Sequence, residues 1–208
     1  MLTQTVAGRV YDYSHSVGQY VGGTNWSDEL FVQPIATATS RDDMVYVLGR
    51  GAESTDDAPT LQPRSFGARV GKFTIGSTPG DEANLTTVGS YGGDEGQFIW
   101  PAGMAIDSHQ NVYVTDEWLN RVTVFDEDGN FLGLWGSPGR EGGYFNRPSG
   151  VAVDNRDNLY VVDSLNHRVQ KHTTEGAFLA GCGGFGTGAR VSSIHRGASR
   201  STITGMFT

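Results

Sequence analysis

Between Phe98 and Gly184 the same pattern is written twice. Phe98, Pro101, Gly103, Ala105, Asp107, Asn111, Tyr113, Val114, Asp116, Arg121, Val122, Gly129, Phe131, Leu132 and Gly136 recur as Phe145, Pro148, Gly150, Ala152, Asp154, Asn158, Tyr160, Val161, Asp163, Arg168, Val169, Gly176, Phe178, Leu179 and Gly183. Each pair is separated by 47 residues (145 − 98 = 47), and the register never slips. Such a tandem array is one supersecondary unit stacked on itself, each copy burying its apolar faces against its neighbours.

Within one unit, four strands can be placed. Gly103 to Asp107 is short and rich in small residues, as an inner strand crowded near an axis must be. Asn111 to Thr115 is β-branched and aromatic, a second strand. Arg121 to Phe125 alternates polar and apolar, which predicts a third strand with one wetter face. Phe131 to Trp135 is the outer strand, reached through the turn-forming run Asp126-Glu127-Asp128-Gly129-Asn130. No helical periodicity interrupts them. The expected fold is all-β, a β-propeller of four-stranded antiparallel blades with about three blades present and the ring incomplete.

A third, degenerate copy precedes the two clean ones. Phe31, Pro34 and Val45-Tyr46-Val47 stand 67 residues before Phe98, Pro101 and Val112-Tyr113-Val114 (98 − 31 = 67). By Leu85 and Gly89 the offset has returned to 47, which places an insertion near 51–65. Gly49 stands where Asp116 and Asp163 stand. The chain thus divides into residues 1–30 (an N-terminal strand at Gly8 to Ser16 without partners of its own, plus a linker), 31–92 (the degenerate blade), 93–139, 140–185, and a tail at 186–208.

Composition narrows the function classes. The net charge of −8 repels phosphate backbones on average and argues against nucleic acid, although it does not exclude a local basic face. The single cysteine, Cys182, rules out an internal disulfide. Met1 to Tyr20 lacks a basic start followed by an apolar run, and no apolar stretch reaches the roughly 18–20 residues of a membrane span. A cytoplasmic, non-membrane protein is expected.

The motifs Phe-x-x-Pro-x-Gly-(Met/Val)-Ala-(Ile/Val)-Asp, Asn-(Val/Leu)-Tyr-Val-x-Asp and Arg-Val, closing on Gly-x-Phe-Leu, together with Leu165-Asn166-His167-Arg168-Val169, resemble the NHL repeat. The resemblance is strong over 98–184, weaker over 31–92 and absent after about 186. It implies a propeller that is six-bladed in most relatives, in which the first strand completes the last blade. That would account for the strand at Gly8 to Ser16.

The tail breaks the pattern. From Gly186 to Thr208 there are three arginines and no acidic residue. Codons for Ser192 onward can be chosen so that the frame one base earlier spells Glu-Phe-Asn-Ser-Pro-Trp-Gly-Ile-Ala-Val-Asp and then Asn-Val-Tyr, the opening of another repeat. The sequence therefore predicts a shift of frame inside a fourth blade, making the chain an N-terminal fragment. Three blades would leave apolar faces and strand edges open, favouring association or poor solubility.

Candidate functional residues lie in the loops before the first strand and between the second and third, which share one face of a blade. Trp100, Trp118, Asn120, Arg147 and His167 are the candidates for gripping a partner. The alternative for the two tryptophans is that they cover the top of the core between blades. Asp116, Arg121, Asp163 and Arg168 recur in every clean copy and read as structural, the aspartate taking turn amides and the arginine pairing with it. No ligand spacing joins His167, His172 and Cys182, so no metal, cofactor or catalytic residue is assigned.

The expected function is a non-enzymatic binding or scaffold propeller whose partner is a protein, peptide or other polymer. The resemblance also implies two alternatives. One is a propeller-type enzyme like the peptidylglycine amidating lyase or the sugar lactonases, its site in absent blades; the other is an RNA-binding NHL face.

Overall fold

A computed structural model describes residues 3–6, 9–12, 33–51, 68–74, 83–184 and 191–192. Strands β1 (Thr3–Val6) and β2 (Arg9–Asp12) pair as an antiparallel hairpin. The expected lone strand at Gly8 to Ser16 is therefore corrected: Arg9–Asp12 has a partner, supplied by the four residues Thr3–Val6, and residues 13–16 lie outside the described residues. The first blade is β3 (Pro34–Thr39), β4 (Met44–Arg50), β5 (Ala68–Thr74) and β6 (Ala83–Val88). Most of the insertion expected near 51–65 lies outside the described residues.

A short parallel pair, β7 (Ser90–Tyr91) and β8 (Gln97–Phe98), leads into the second blade. That blade is β9 (Pro101–Ile106), β10 (Val112–Asp116), β11 (Arg121–Phe125) and β12 (Phe131–Trp135). The third follows as β13 (Pro148–Val153), β14 (Leu159–Asp163), β15 (Arg168–His172) and β16 (Phe178–Gly183). Strand β17 (Val191–Ser192), inside the stretch that has lost the repeat pattern, adds to the outer edge of β16. All three blades are antiparallel meanders, and no closed ring forms among the described residues. Strand register is alike in the three blades: Pro34 pairs with Gly49 as Pro101 pairs with Asp116 and Pro148 with Asp163.

The core lies between blades. Phe98, Met104, Val112, Val114 and Phe125 of the second blade pack on Tyr46, Leu48, Ala68 and Val70 of the first. Tyr113, Val122 and Val124 pack on Phe145, Leu159 and Val161 of the third. Each such side chain removed from water contributes roughly 1.5–3 kcal/mol. Because a neighbour covers both faces of the second blade, every residue of β11 is buried, Arg121 and Thr123 included. The wetter face expected for the third strand is thus corrected. Its polar positions are buried, Arg121 against carbonyls of the connector that precedes the blade.

Inner strands approach closely. A Cβ on Gly103 would run into the Ser149 carbonyl oxygen, so only glycine lets β9 and β13 meet there. The Thr115 hydroxyl donates to that same carbonyl across the interface. At the far end of β9, Asp107 accepts from the His109 amide (2.8 Å), the Asn111 amide (2.9 Å), the Asn111 side chain (2.9 Å) and the Tyr113 hydroxyl (2.8 Å). Burial and this bond to Asp107 push the Tyr113 phenol well above its usual range. Asp154 repeats the device with Arg156, Asn158 and Tyr160. Burial pushes its carboxyl up, but the bonds led by Asn158 outweigh that and hold it at about 2. In the first blade, Ser40 takes the role, accepting from the amides of Asp42 and Met44.

His172 occupies the place of Phe125 and is fully buried. Its ring lies 4.8 Å from Trp135, 5.5 Å from Phe145 and 5.7 Å from Phe178, centroid to centroid. Nδ1–H donates to the Gly176 carbonyl (3.2 Å), so Nε2 is the unprotonated nitrogen, buried without a hydrogen-bond partner among the described residues. Burial holds the imidazole below its ordinary value of 6.5. Below that pH the unfolded chain takes up a proton that the folded chain refuses, so stability declines as pH falls from about 6.5 to the folded-state value. Denaturant titrations at stepped pH should show this decline, and His172→Phe should remove its contribution.

Candidate functional site

The face carrying the predicted loops is assembled by two buried carboxylates. One Asp116 oxygen accepts from the backbone amides of Ile99 (2.8 Å) and Trp100 (3.0 Å). The other accepts from the amides of Trp118 (2.9 Å) and Leu119 (2.8 Å). A single side chain thus ties the loop before the inner strand to the loop after the second. The Glu117 amide, donating to the Trp100 carbonyl (2.9 Å), adds a backbone tie between them.

In the third blade, Asp163 accepts from the Asn146 amide (2.6 Å), and from the side chains of Asn166 (2.9 Å), Arg168 (2.7 Å) and Gln170 (2.9 Å). The intervening loop is a 3-10 turn, Ser164–Asn166, ended by His167 in the left-handed region.

The expected pairing of arginine with aspartate holds in the third blade only. Arg168 meets Asp163 and also donates to the Glu141 (2.7 Å) and Tyr144 (2.9 Å) carbonyls. Arg121 instead donates to three carbonyls, Gly93 (3.0 Å), Asp94 (2.7 Å) and Gln97 (3.0 Å). Both oxygens of Asp116 are already occupied by amides, which leaves the arginine to close the connector before the blade. Burial lowers the Arg121 pKa from its usual value, with Asp116 and Asp94 opposing the shift.

The five candidate side chains separate by environment. Trp118 is 58% exposed, and Leu165, its counterpart in the third blade, is 52% exposed. Arg147 and His167 are exposed as well. Asn120 is committed internally: its carbonyl oxygen accepts from the Arg147 amide (2.8 Å) and its amide donates to the Trp118 carbonyl (2.9 Å). It braces the loops of adjacent blades and positions Arg147 beside them. Trp100 is half-buried beneath the Arg50 guanidinium, 5.4 Å from the ring centroid.

Arg50 was not legible as a site residue. It also donates to the Pro101 carbonyl (3.2 Å) and lies 3.7 Å from Glu117, linking first and second blades. Its only sequence signal is its place one residue after Gly49, the counterpart of Glu117. Among the described residues, no group of three or more His, Cys, Asp or Glu is arranged to hold a metal ion.

The family model of the NHL repeat matches residues 145–171, the core of the third blade. Residues 145–171 thus carry an NHL repeat, and the stacked four-stranded blades have the β-propeller fold. No curated protein matches its sequence closely enough to count as a relative. Among solved structures, this propeller resembles a gluconolactonase from Xanthomonas campestris at 18% identity and a TM-score of 0.52, over 86% of this chain and 53% of the other. It resembles U3-55K at 15% identity and 0.53, over 76% and 41%. The WD40 repeats of RRP9 match at 13% and 0.53, over 76% and 40%. These likenesses support the fold, and the chain spans about two fifths to one half of each of these structures.

Replacing Asp116 with alanine would leave four loop amides without their acceptor. Bonds to a charged group are worth roughly 1.5–3 kcal/mol each in isolation but overlap here, so a loss of about 3 kcal/mol is expected. Denaturant unfolding reads the loss, and amide exchange should rise at Ile99, Trp100, Trp118 and Leu119.

Proposed function

We propose that this NHL propeller is a non-enzymatic binding module that recognises a protein or peptide through the face formed by Trp118, Leu165, Arg147 and His167. The observation that carries the reading is the exposure of Trp118 and Leu165 in loops whose backbones are otherwise held by buried carboxylates. Two large apolar side chains at repeat-equivalent positions stand in water although the scaffold beneath them is closely tied. Aromatic anchors on rigid backbone lose little conformational freedom on docking, and a neighbouring arginine adds directional hydrogen bonding.

The residues that tie the loops and turns, Asp107, Asn111, Asp116 and Arg121, are the same in both clean copies as Asp154, Asn158, Asp163 and Arg168, whereas these loop positions differ. Tryptophan faces leucine at 118 and 165, and tryptophan faces arginine at 100 and 147. Trp100, held under Arg50, serves the joint between first and second blades and lies beneath the proposed contact surface.

Recovery of a bound partner should fall at least about tenfold for a Trp118→Ala, Leu165→Ala double variant, as expected for loss of central anchors. Arg147→Glu should reduce it further, while Trp100→Phe should leave it unchanged. Unchanged recovery with Trp118, Leu165 and Arg147 all replaced would refute the reading.

A further inference from the structure

In the second and third blades, a tyrosine of the second strand reaches back to the carboxylate that closes the turn before it. Tyr113 donates its hydroxyl proton to Asp107 (2.8 Å), and Tyr160 donates to Asp154 (3.1 Å). Lys171, paired with Tyr160 across the strands, places its ammonium 3.8 Å from Asp154 and 5.2 Å from the Tyr160 ring centroid.

The first blade keeps most donors of this site and lacks its anion. Ser40 stands where Asp107 stands (107 − 40 = 67). Its hydroxyl oxygen accepts from the amides of Asp42 (3.3 Å) and Met44 (3.2 Å), against 2.8 Å and 2.9 Å for the same two bonds to Asp107. Tyr46 pairs with Ala38 as Tyr113 pairs with Ala105 and Tyr160 with Ala152, so the phenol keeps its register to the turn. Its hydroxyl, however, is buried without a hydrogen-bond partner among the described residues. Lys72 pairs with Tyr46 as Lys171 pairs with Tyr160, lies 5.7 Å from the ring centroid and donates to the Glu127 carbonyl (3.0 Å). One donor of the Asp107 site is missing, the Asn111 side-chain amide, because Met44 stands there.

We propose that Ser40 is a phosphorylation site whose phosphate restores to the first blade the anion that Asp107 and Asp154 supply to the others. A buried phenol without an acceptor is unfavourable, and an anion carried by the turn itself relieves it. Tyr113 is as buried as Tyr46 and still meets Asp107, because the acceptor arrives along the chain and not from solvent. The turn is open to a modifying enzyme, since Arg41, Asp42 and Asp43 are exposed. The Asp42 carboxylate, which would repel a phosphate, is already engaged by the Gln110 side-chain amide (3.1 Å). In the transfer, a protein kinase brings a nucleoside triphosphate to Ser40. The bond from Oγ to the γ-phosphorus forms, the bond to the bridging oxygen breaks, the nucleoside diphosphate leaves, and the hydroxyl proton passes to the kinase. The phosphate then accepts from the Asp42 and Met44 amides and the Tyr46 hydroxyl, with the Lys72 ammonium beside it.

Incubation of the full chain with γ-labelled ATP and an extract of its own source cells tests the transfer. Label is expected on Ser40 and should disappear with Ser40→Ala. Denaturant unfolding of the full chain prepared with phosphoserine at position 40 tests the site. Its folded-to-unfolded ratio should rise about tenfold over the unmodified chain at neutral pH. Tyr46→Phe should cut that gain to about threefold while leaving the unmodified chain as stable as before, a split that a merely tolerated phosphate does not produce. Absence of label on Ser40, a phosphorylated chain no more stable than the unmodified one, or a gain that Tyr46→Phe leaves intact would each overturn the proposal.

Discussion

A buried carboxylate at the end of each clean second strand is the point on which the loop face depends. A propeller blade turns its chain sharply at every strand end, and each turn leaves backbone amides without sheet partners. Asp116 answers four of them with one side chain, and Asp163 gathers an amide and three side-chain donors. Buried groups of this kind are stable only when saturated, so the loops they hold are fixed wherever the aspartate is present. In the first blade Gly49 replaces it, and Arg50, the next residue, reaches across to Pro101, Glu117 and Trp100.

Much of this architecture was legible because the repeat has a constant offset. Strand limits at Arg121–Phe125 and Phe131–Trp135 follow from alternation and from the turn residues between them, and the structure has the same limits. The structural character of Asp116 and Asp163 follows from their recurrence. What the repeat could not reveal is what lies between copies. Thr123 and Arg121 look like solvent-facing positions, yet both are buried, Arg121 against the connector that precedes its blade. Asn120 looks like a ligand group until Arg147, 27 residues on, donates its amide to it. Strand β1 has no counterpart in the repeat, and its only cue is the β-branched character of Thr3, Thr5 and Val6.

His172 shows the same limit from the other side. Aligned with Phe125, it reads as a polar intrusion into an apolar strand. In the folded chain, Trp135, Phe145 and Phe178 surround its ring, and one carbonyl accepts its single proton. The imidazole therefore serves as an aromatic filler whose neutrality is enforced by burial. Variation between copies thus has two meanings: inside the stack it adjusts packing, and on the loop face it changes what is presented to a partner.

That distinction is the central claim, and a paired measurement across matched positions tests it most directly. Folding stability and partner recovery would be measured together for alanine variants at Asp116, Asp163, Trp118 and Leu165. The account predicts that the two aspartate variants lose stability, while the Trp118 and Leu165 variants keep it and lose the partner. Trp118 and Leu165 variants that unfold with the partner still bound, or aspartate variants that fold as before, would contradict it.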